Sequence, residues 1–132
     1  MYTSTAVEQG NVSFSISDKG VGTITFEHPM SNSLPGKLLQ KLADTITELG
    51  TNNSVKVLVL QSSGDRAFCA GASLEELKVV SNAEEGTAFF QGFANVINAL
   101  RCCPKITIGR VHGKAVGGGV GLAAATDYCV AS

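Results

Sequence analysis

A chain of 132 residues fits a single domain at most and is long enough to bury a real core. With 44% hydrophobic and 16% charged residues and a formal net charge of −1, it carries no electrostatic footprint for nucleic acid or an anionic membrane surface. No apolar run is long enough to span a bilayer, and the opening residues Met1, Tyr2, Thr3, Ser4, Thr5 and Ala6 have neither the basic region nor the apolar stretch of a signal peptide.

The predicted elements follow in chain order. Val12, Phe14 and Ile16 alternate with Ser13, Ser15 and Ser17, the pattern of a half-buried strand. Asp18-Lys19-Gly20 marks a turn, and residues 21–27 read as the returning strand of a hairpin, ended by His28-Pro29. Ser31-Asn32-Ser33 is a polar loop, and Pro35 suits the first turn of a helix that carries Leu38, Leu42, Ile46 and Leu49 on one face. After a turn at 50–54, residues 55–61 form a nearly unbroken apolar run typical of a buried parallel strand. Residues 62–66 are a loop. Phe68 to Ala72 is a strand-to-helix turn, with Ser73 and Glu76 spaced as a capping box. A long helix is predicted over 84–100, burying Phe89, Phe93, Val96, Ile97 and Leu100, with Phe89 and Phe90 read as core rather than ligand contacts. Pro104 ends it. A strand over 105–111, a helix opened by Gly118 or Gly119, and a strand over 128–131 complete an α/β pattern with parallel crossovers.

Two glycine-containing turns carry the chemistry. Gly113-Lys114-Ala115-Val116-Gly117-Gly118-Gly119-Val120-Gly121 places bare backbone N–H groups at a helix start, where unpaired donors and the positive dipole end suit a developing negative charge. Phe68-Cys69-Ala70-Gly71-Ala72 precedes a second helix. Two such donors facing one pocket make an oxyanion hole, and glycine lets the backbone approach a ligand closely. Taken alone, Gly117-Gly118-Gly119 equally suits a tight turn and close packing. The chain has no G-x-x-x-x-G-K-[ST] and no G-x-G-x-x-G after a first βα turn, which disfavours phosphate-loop and dinucleotide binding.

The remaining polar residues read as structural. Cys69, Cys102, Cys103 and Cys129 match no zinc or redox spacing and are expected to be reduced, mostly buried and cytoplasmic. Cys69 as a nucleophile is the alternative, without a partner base in any motif. His28 is expected to orient a loop. His112 is expected to make a structural hydrogen bond near the pocket, with substrate contact as the minority reading. Asp127 is expected to fix the end of the glycine helix, and Asp65 and Arg66 to be a solvated loop pair. The final apolar stretch, with no capping element after it, reads as part of a longer chain: a truncated gene product or a fragment.

Taken together, residues 65–74 and 111–122 with Asp127 closely resemble the two signature regions of the crotonase (enoyl-CoA hydratase/isomerase) superfamily, and His28-Pro29 with Asn32 looks like its N-terminal motif. The resemblance runs from about residue 12 to residue 132 in the family's order and spacing. It implies a spiral of ββα units, with this chain as the N-terminal part of one domain and the helical C-terminal part missing. It implies acyl-CoA thioesters as substrates and no separate cofactor or metal. It assigns the enolate-binding donors to the N–H groups of Ala72 and Gly118, and places Ala70, Gly71 and Ala72 near the adenine end of CoA. It also implies a homo-oligomer, trimer or hexamer. Gly121 stands where the family's hydratases carry a catalytic glutamate, and the second catalytic glutamate falls beyond Ser132. Glu75 occupies a position often basic in the family, with Lys78 one helical turn later as a substitute for contact with CoA phosphate. Hydration of an enoyl-CoA is the expected reaction, with decarboxylation or a double-bond shift as options. A noncatalytic acyl-CoA binder or assembly partner is the competing reading.

Overall fold

The computed structural model describes residues 10–132; the N-terminal residues read above for a leader signal lie outside them. Strands β1 (Asn11–Ile16) and β2 (Val21–Glu27) form an antiparallel hairpin, with Phe14 opposite Ile24. Gly20 closes the turn at φ +88°, donating to the Ser17 carbonyl at 3.0 Å. Helix α1 (Gly36–Gly50) then carries the chain over the sheet to β3 (Val57–Ser62), which pairs parallel to β2. The crossover back to β5 (Ile106–Val111) contains a short strand β4 (Ala67–Cys69), a single-turn helix α2 (Leu74–Leu77) and the long helix α3 (Ala83–Cys102). A last crossover, through β6 (Lys114–Ala115) and helix α4 (Gly118–Ala125), leads to β7 (Tyr128–Ala131), parallel to β5. The main sheet therefore runs β1-β2-β3-β5-β7, and β4 pairs with β6 in a separate two-stranded sheet.

Apolar periodicity explains the core. Leu38, Leu42, Ile46 and Leu49 are all buried on one face of α1, as their spacing predicts. They join Ile24, Phe26, Leu58, Leu60, Val96 and Leu122 in one cluster. Phe26 and Phe68 meet edge to face at 5.4 Å, so the small sheet is tied to the large one through an aromatic pair. Truncating a residue such as Ile46 to Ala costs about 2–5 kcal/mol in a site of this kind.

Four expectations need correction. The alternation in β1 is incomplete: Val12 is buried, but Phe14 is 49% exposed. This strand is an edge, and Phe14 stands at the wall of an open groove between β1 and α1 rather than beneath the helix, while Lys41 donates to Asn11 at 3.3 Å. The buried strand begins at Val57 rather than residue 55, because Val55 and Lys56 are spent on turn hydrogen bonds to Asn52 and Gly20. The polar loop is not solvated throughout, since Asn32 and Ser33 are buried. Finally, all four cysteines are free but only Cys69 is buried; Cys102 lies on the outer side of the last turn of α3, and Cys129 on an edge strand exposed along its length.

Candidate functional site

The two-stranded sheet brings the glycine turns together. Cys69 pairs with Ala115, and the Val116 N–H donates to the Cys69 carbonyl at 3.0 Å. Both strands run the same way, so both chains leave the same end of the ladder. Ala72 lies three residues past Cys69, and Gly118 three past Ala115. Contact between the turns is close. A Cβ on Gly71 would stand 2.9 Å from the Val116 carbonyl oxygen and 3.6 Å from the Gly118 nitrogen. Gly71 also sits at φ +95°, a conformation that side-chain-bearing residues avoid. At the next residue, a Cβ on Gly119 would run into the Cys69 carbonyl oxygen.

Gly118 is the first residue of α4, and its cap, Gly117, offers no side chain. The next two amides turn inward: Gly119 donates to Val116 at 2.9 Å and Val120 to Gly117 at 3.1 Å. Among the described residues, no acceptor takes the N–H of Gly118 or that of Ala72. Both residues are half-buried. Two neighbouring turns thus each carry an unpaired main-chain donor, one of them at a helix N-terminus where the dipole favours negative charge.

The first turn is held from behind by residues 31–36. Ala70 donates to the Ser31 carbonyl at 3.2 Å, and Leu34 donates to the Gly71 carbonyl at 2.9 Å. The predicted capping box is only half made. Ser73 accepts from the Glu76 amide at 3.2 Å, but the Glu76 carboxylate accepts instead from the Gly36 amide, at 3.0 and 3.1 Å. The N-terminus of α1 supplies an unpaired donor and a positive dipole end beside α2, and the carboxylate goes there. Asn32 is the unforeseen hub: it accepts from the His28 amide at 2.9 Å and donates to the Ser63 and Ala67 carbonyls, each at 2.8 Å.

Ala70, Ala72 and Lys78 line one groove of 220 Å³ with Met30 and Leu74. Gly71 is buried and does not line it. Lys78 is exposed and pairs with Glu75 at 3.3 Å. Gly121 lies on α4, where a Cβ would meet Ile97 at 3.1 Å; it brings no acid or base. A second, apolar cavity of 380 Å³ lies between Gly36, Glu76, Val80 and Phe89, which puts Phe89 at a cavity wall as well as in the core. Phe90, also read as core, is 67% exposed because it stands on the outer face of α3.

The other candidates resolve as follows. Burial pushes the Cys69 thiol up to about 11, against a lowering effect of the Gly71 amide hydrogen bond, so it stays protonated near neutrality, which favours its reading as a core residue. His28 accepts from the Met30 amide through Nδ1 at 3.0 Å and orients its loop as expected. His112 departs from expectation. Both ring nitrogens are buried without a partner among the described residues, so the expected structural hydrogen bond is not made there. Asp127 is structural, but it staples strands rather than the glycine helix: its carboxylate accepts from the Thr107 amide at 2.8 Å, and its amide donates to the Thr107 carbonyl at 2.9 Å. The helix end is closed by Thr126, whose hydroxyl donates to Ala123 at 2.7 Å. Asp65 and Arg66 are exposed loop residues.

Comparison with known proteins agrees with this architecture. The chain is 35% identical over 116 residues to the Homo sapiens protein named enoyl-CoA hydratase domain-containing protein 2, mitochondrial, covering 87% of this chain and 39% of that one. It is 30% identical over 120 residues to the ethylmalonyl-CoA decarboxylase of Gallus gallus, covering 90% and 40%. The crystal structure of an enoyl-CoA hydratase from Mycobacterium smegmatis superposes with a TM-score of 0.85 at 33% identity, over 91% of this chain and 47% of that one. An enoyl-CoA hydratase from Bacillus anthracis gives 0.85 at 28% identity, over 92% and 47%. The chain therefore spans less than half the length of these relatives, and over that length its fold is that of the crotonase superfamily. The profile described as enoyl-CoA hydratase/isomerase matches residues 17–132, nearly everything the structure describes, and the chain belongs to that family.

Proposed function

We propose that the protein bearing this chain is an acyl-CoA enzyme in which the N–H groups of Ala72 and Gly118 together bind the thioester oxygen of the substrate. The observation that carries this reading is the pair of donors without acceptors among the described residues, set three residues beyond the paired Cys69 and Ala115. When water adds to the β-carbon of an enoyl thioester, the electron pair of the double bond moves toward the carbonyl, and negative charge collects on that oxygen until the α-carbon takes a proton. Donors already in place stabilise that charge without reorganising, and losing one of them costs about 3–4 kcal/mol, on the order of 10²–10³ in rate.

Hydration is the proposed reaction, with the acid–base group supplied by sequence beyond residue 132, since Gly121 supplies none. Decarboxylation of a 2-carboxyacyl thioester leaves the same charge on the same oxygen, and a relative with that name exists. CoA is proposed to lie along the groove of Ala70, Ala72 and Lys78, the lysine meeting a phosphate, with Gly71 setting the turn between the two alanines. A trimer or hexamer is the proposed assembly.

The bare Gly121 favours a second reading, an acyl-CoA binder without catalysis. Calorimetry with crotonyl-CoA beside a turnover assay of the same preparation separates the two. Binding with turnover supports the enzyme, and binding without turnover supports the binder. Absence of both contradicts the oxyanion-hole assignment.

A further inference from the structure

The N–H of Ala72 belongs to the peptide unit that begins at the Gly71 carbonyl, so its direction depends on what fixes that plane. Little in the local sequence does so. Gly71 has no Cβ, and α2, which follows, is four residues long and buries none of them; Leu74 is 69% exposed. The plane is fixed instead by residues 31–36. Ser31 takes the Ala70 amide, and Leu34 binds the Gly71 carbonyl, the other end of the peptide unit that carries the Ala72 N–H. Gly36 binds the Glu76 carboxylate through both oxygens. The first two contacts are main-chain and tolerate most side chains, but the third depends on one residue. The supporting segment is itself strained, with Ser31 and Asn32 at φ 57° and 60°, and the Asn32 side chain holds it there.

We infer that Glu76 is a positioning residue for the Ala72 donor. Its carboxylate grips the first amide of α1, where the helix dipole strengthens the bond. That grip clamps α2 against residues 31–36 and keeps the Gly71–Ala72 peptide turned toward the thioester oxygen. The inference rests on the function proposed above and adds to it a residue outside the reacting atoms. A displacement of about 1 Å at such a donor is enough to cost on the order of a hundredfold in rate.

The test uses crotonyl-CoA, with two readouts: the dissociation constant by calorimetry, and the thioester carbonyl stretch by isotope-edited infrared spectroscopy. In the unsubstituted protein the band moves to lower frequency on binding. Glu76→Ala is expected to lose more than half of that shift while affinity changes by roughly threefold or less, because most CoA contacts remain. Glu76→Gln retains the shift, since its amide oxygen still accepts from Gly36. Gly36→Pro removes the donor instead and preserves α1, because proline is favoured at the first helical position; it also serves if Glu76→Ala fails to fold. The double variant is no worse than either single one. A full shift in Glu76→Ala or Gly36→Pro overturns the inference and leaves the oxyanion hole standing. Absence of any shift, or of binding, in the unsubstituted protein overturns both.

Discussion

The two glycine turns present the same chemical group by different physical means. The first, at residues 70–73, is held by hydrogen bonds reaching back to residues 31–36 and by the Ser73 cap. The second, at residues 116–119, is held mainly by what it lacks. Phe93 occupies the space where Gly118 would carry a side chain, 2.6 Å from an imagined Cβ, and the Cys69 carbonyl does the same at Gly119. The first turn is chiefly tethered and the second chiefly wedged, although Gly71 too has no room for a side chain beside the Val116 carbonyl. Tethers are lost when a partner is removed, and wedges fail when an atom is added, so substitutions in the two turns should differ in kind.

The largest expected effect is at the wedge. Gly119→Ala forces a methyl against main chain that cannot rotate away, and should cost about 3 kcal/mol or more in chemical denaturation. Next comes the tether. Asn32→Ala strips partners from one amide and two carbonyls in buried surroundings and should cost about 2–3 kcal/mol. Cys69, between the two turns, gives a pH signature. Its thiol is raised from 9.0 to about 11 in the folded chain, so its contribution is full below pH 9.0, falls as pH rises, and is gone above about pH 11. The whole change is on the order of 2–3 kcal/mol, and Cys69→Ala should abolish it. Gly118→Ala is milder than Gly119→Ala because the Phe93 ring can move; about 1–2 kcal/mol is expected, and less in a Phe93→Leu background. Smallest is Lys78→Ala, whose exposed ion pair with Glu75 should change stability by less than about 0.5 kcal/mol. An Asn32→Ala chain as stable as the original, or a Gly119→Ala chain without loss, would erase the distinction between tether and wedge.

Most of the scaffold was legible because its signals are local. The fourfold spacing from Leu38 to Ile46 describes α1, and the apolar run before Gln61 describes a strand with parallel neighbours on both sides. Pro104 bounds the long helix at its end, whereas its start, capped by the Asn82 side chain accepting from the Glu85 amide, was not read from the sequence. The two-residue strand β6 was not legible, since a pair of residues carries no periodicity. Nor were the tethers, which join residues 31 to 40 positions apart in sequence. Glu76 had an obvious local partner in the Ser73 amide and a better distant one at Gly36, where an unsatisfied helix terminus outcompetes a local turn. The unequal burial of the cysteines depends likewise on tertiary placement, with Cys129 on an edge strand and Cys102 on the outer side of a helix end, and composition does not reveal that.

The most direct test of the central claim is a crystal structure of the protein with acetoacetyl-CoA bound. Both the Ala72 and the Gly118 nitrogens should lie about 2.7–3.1 Å from the thioester oxygen. A complex in which that oxygen is held by one of them alone, or by neither, would contradict the account.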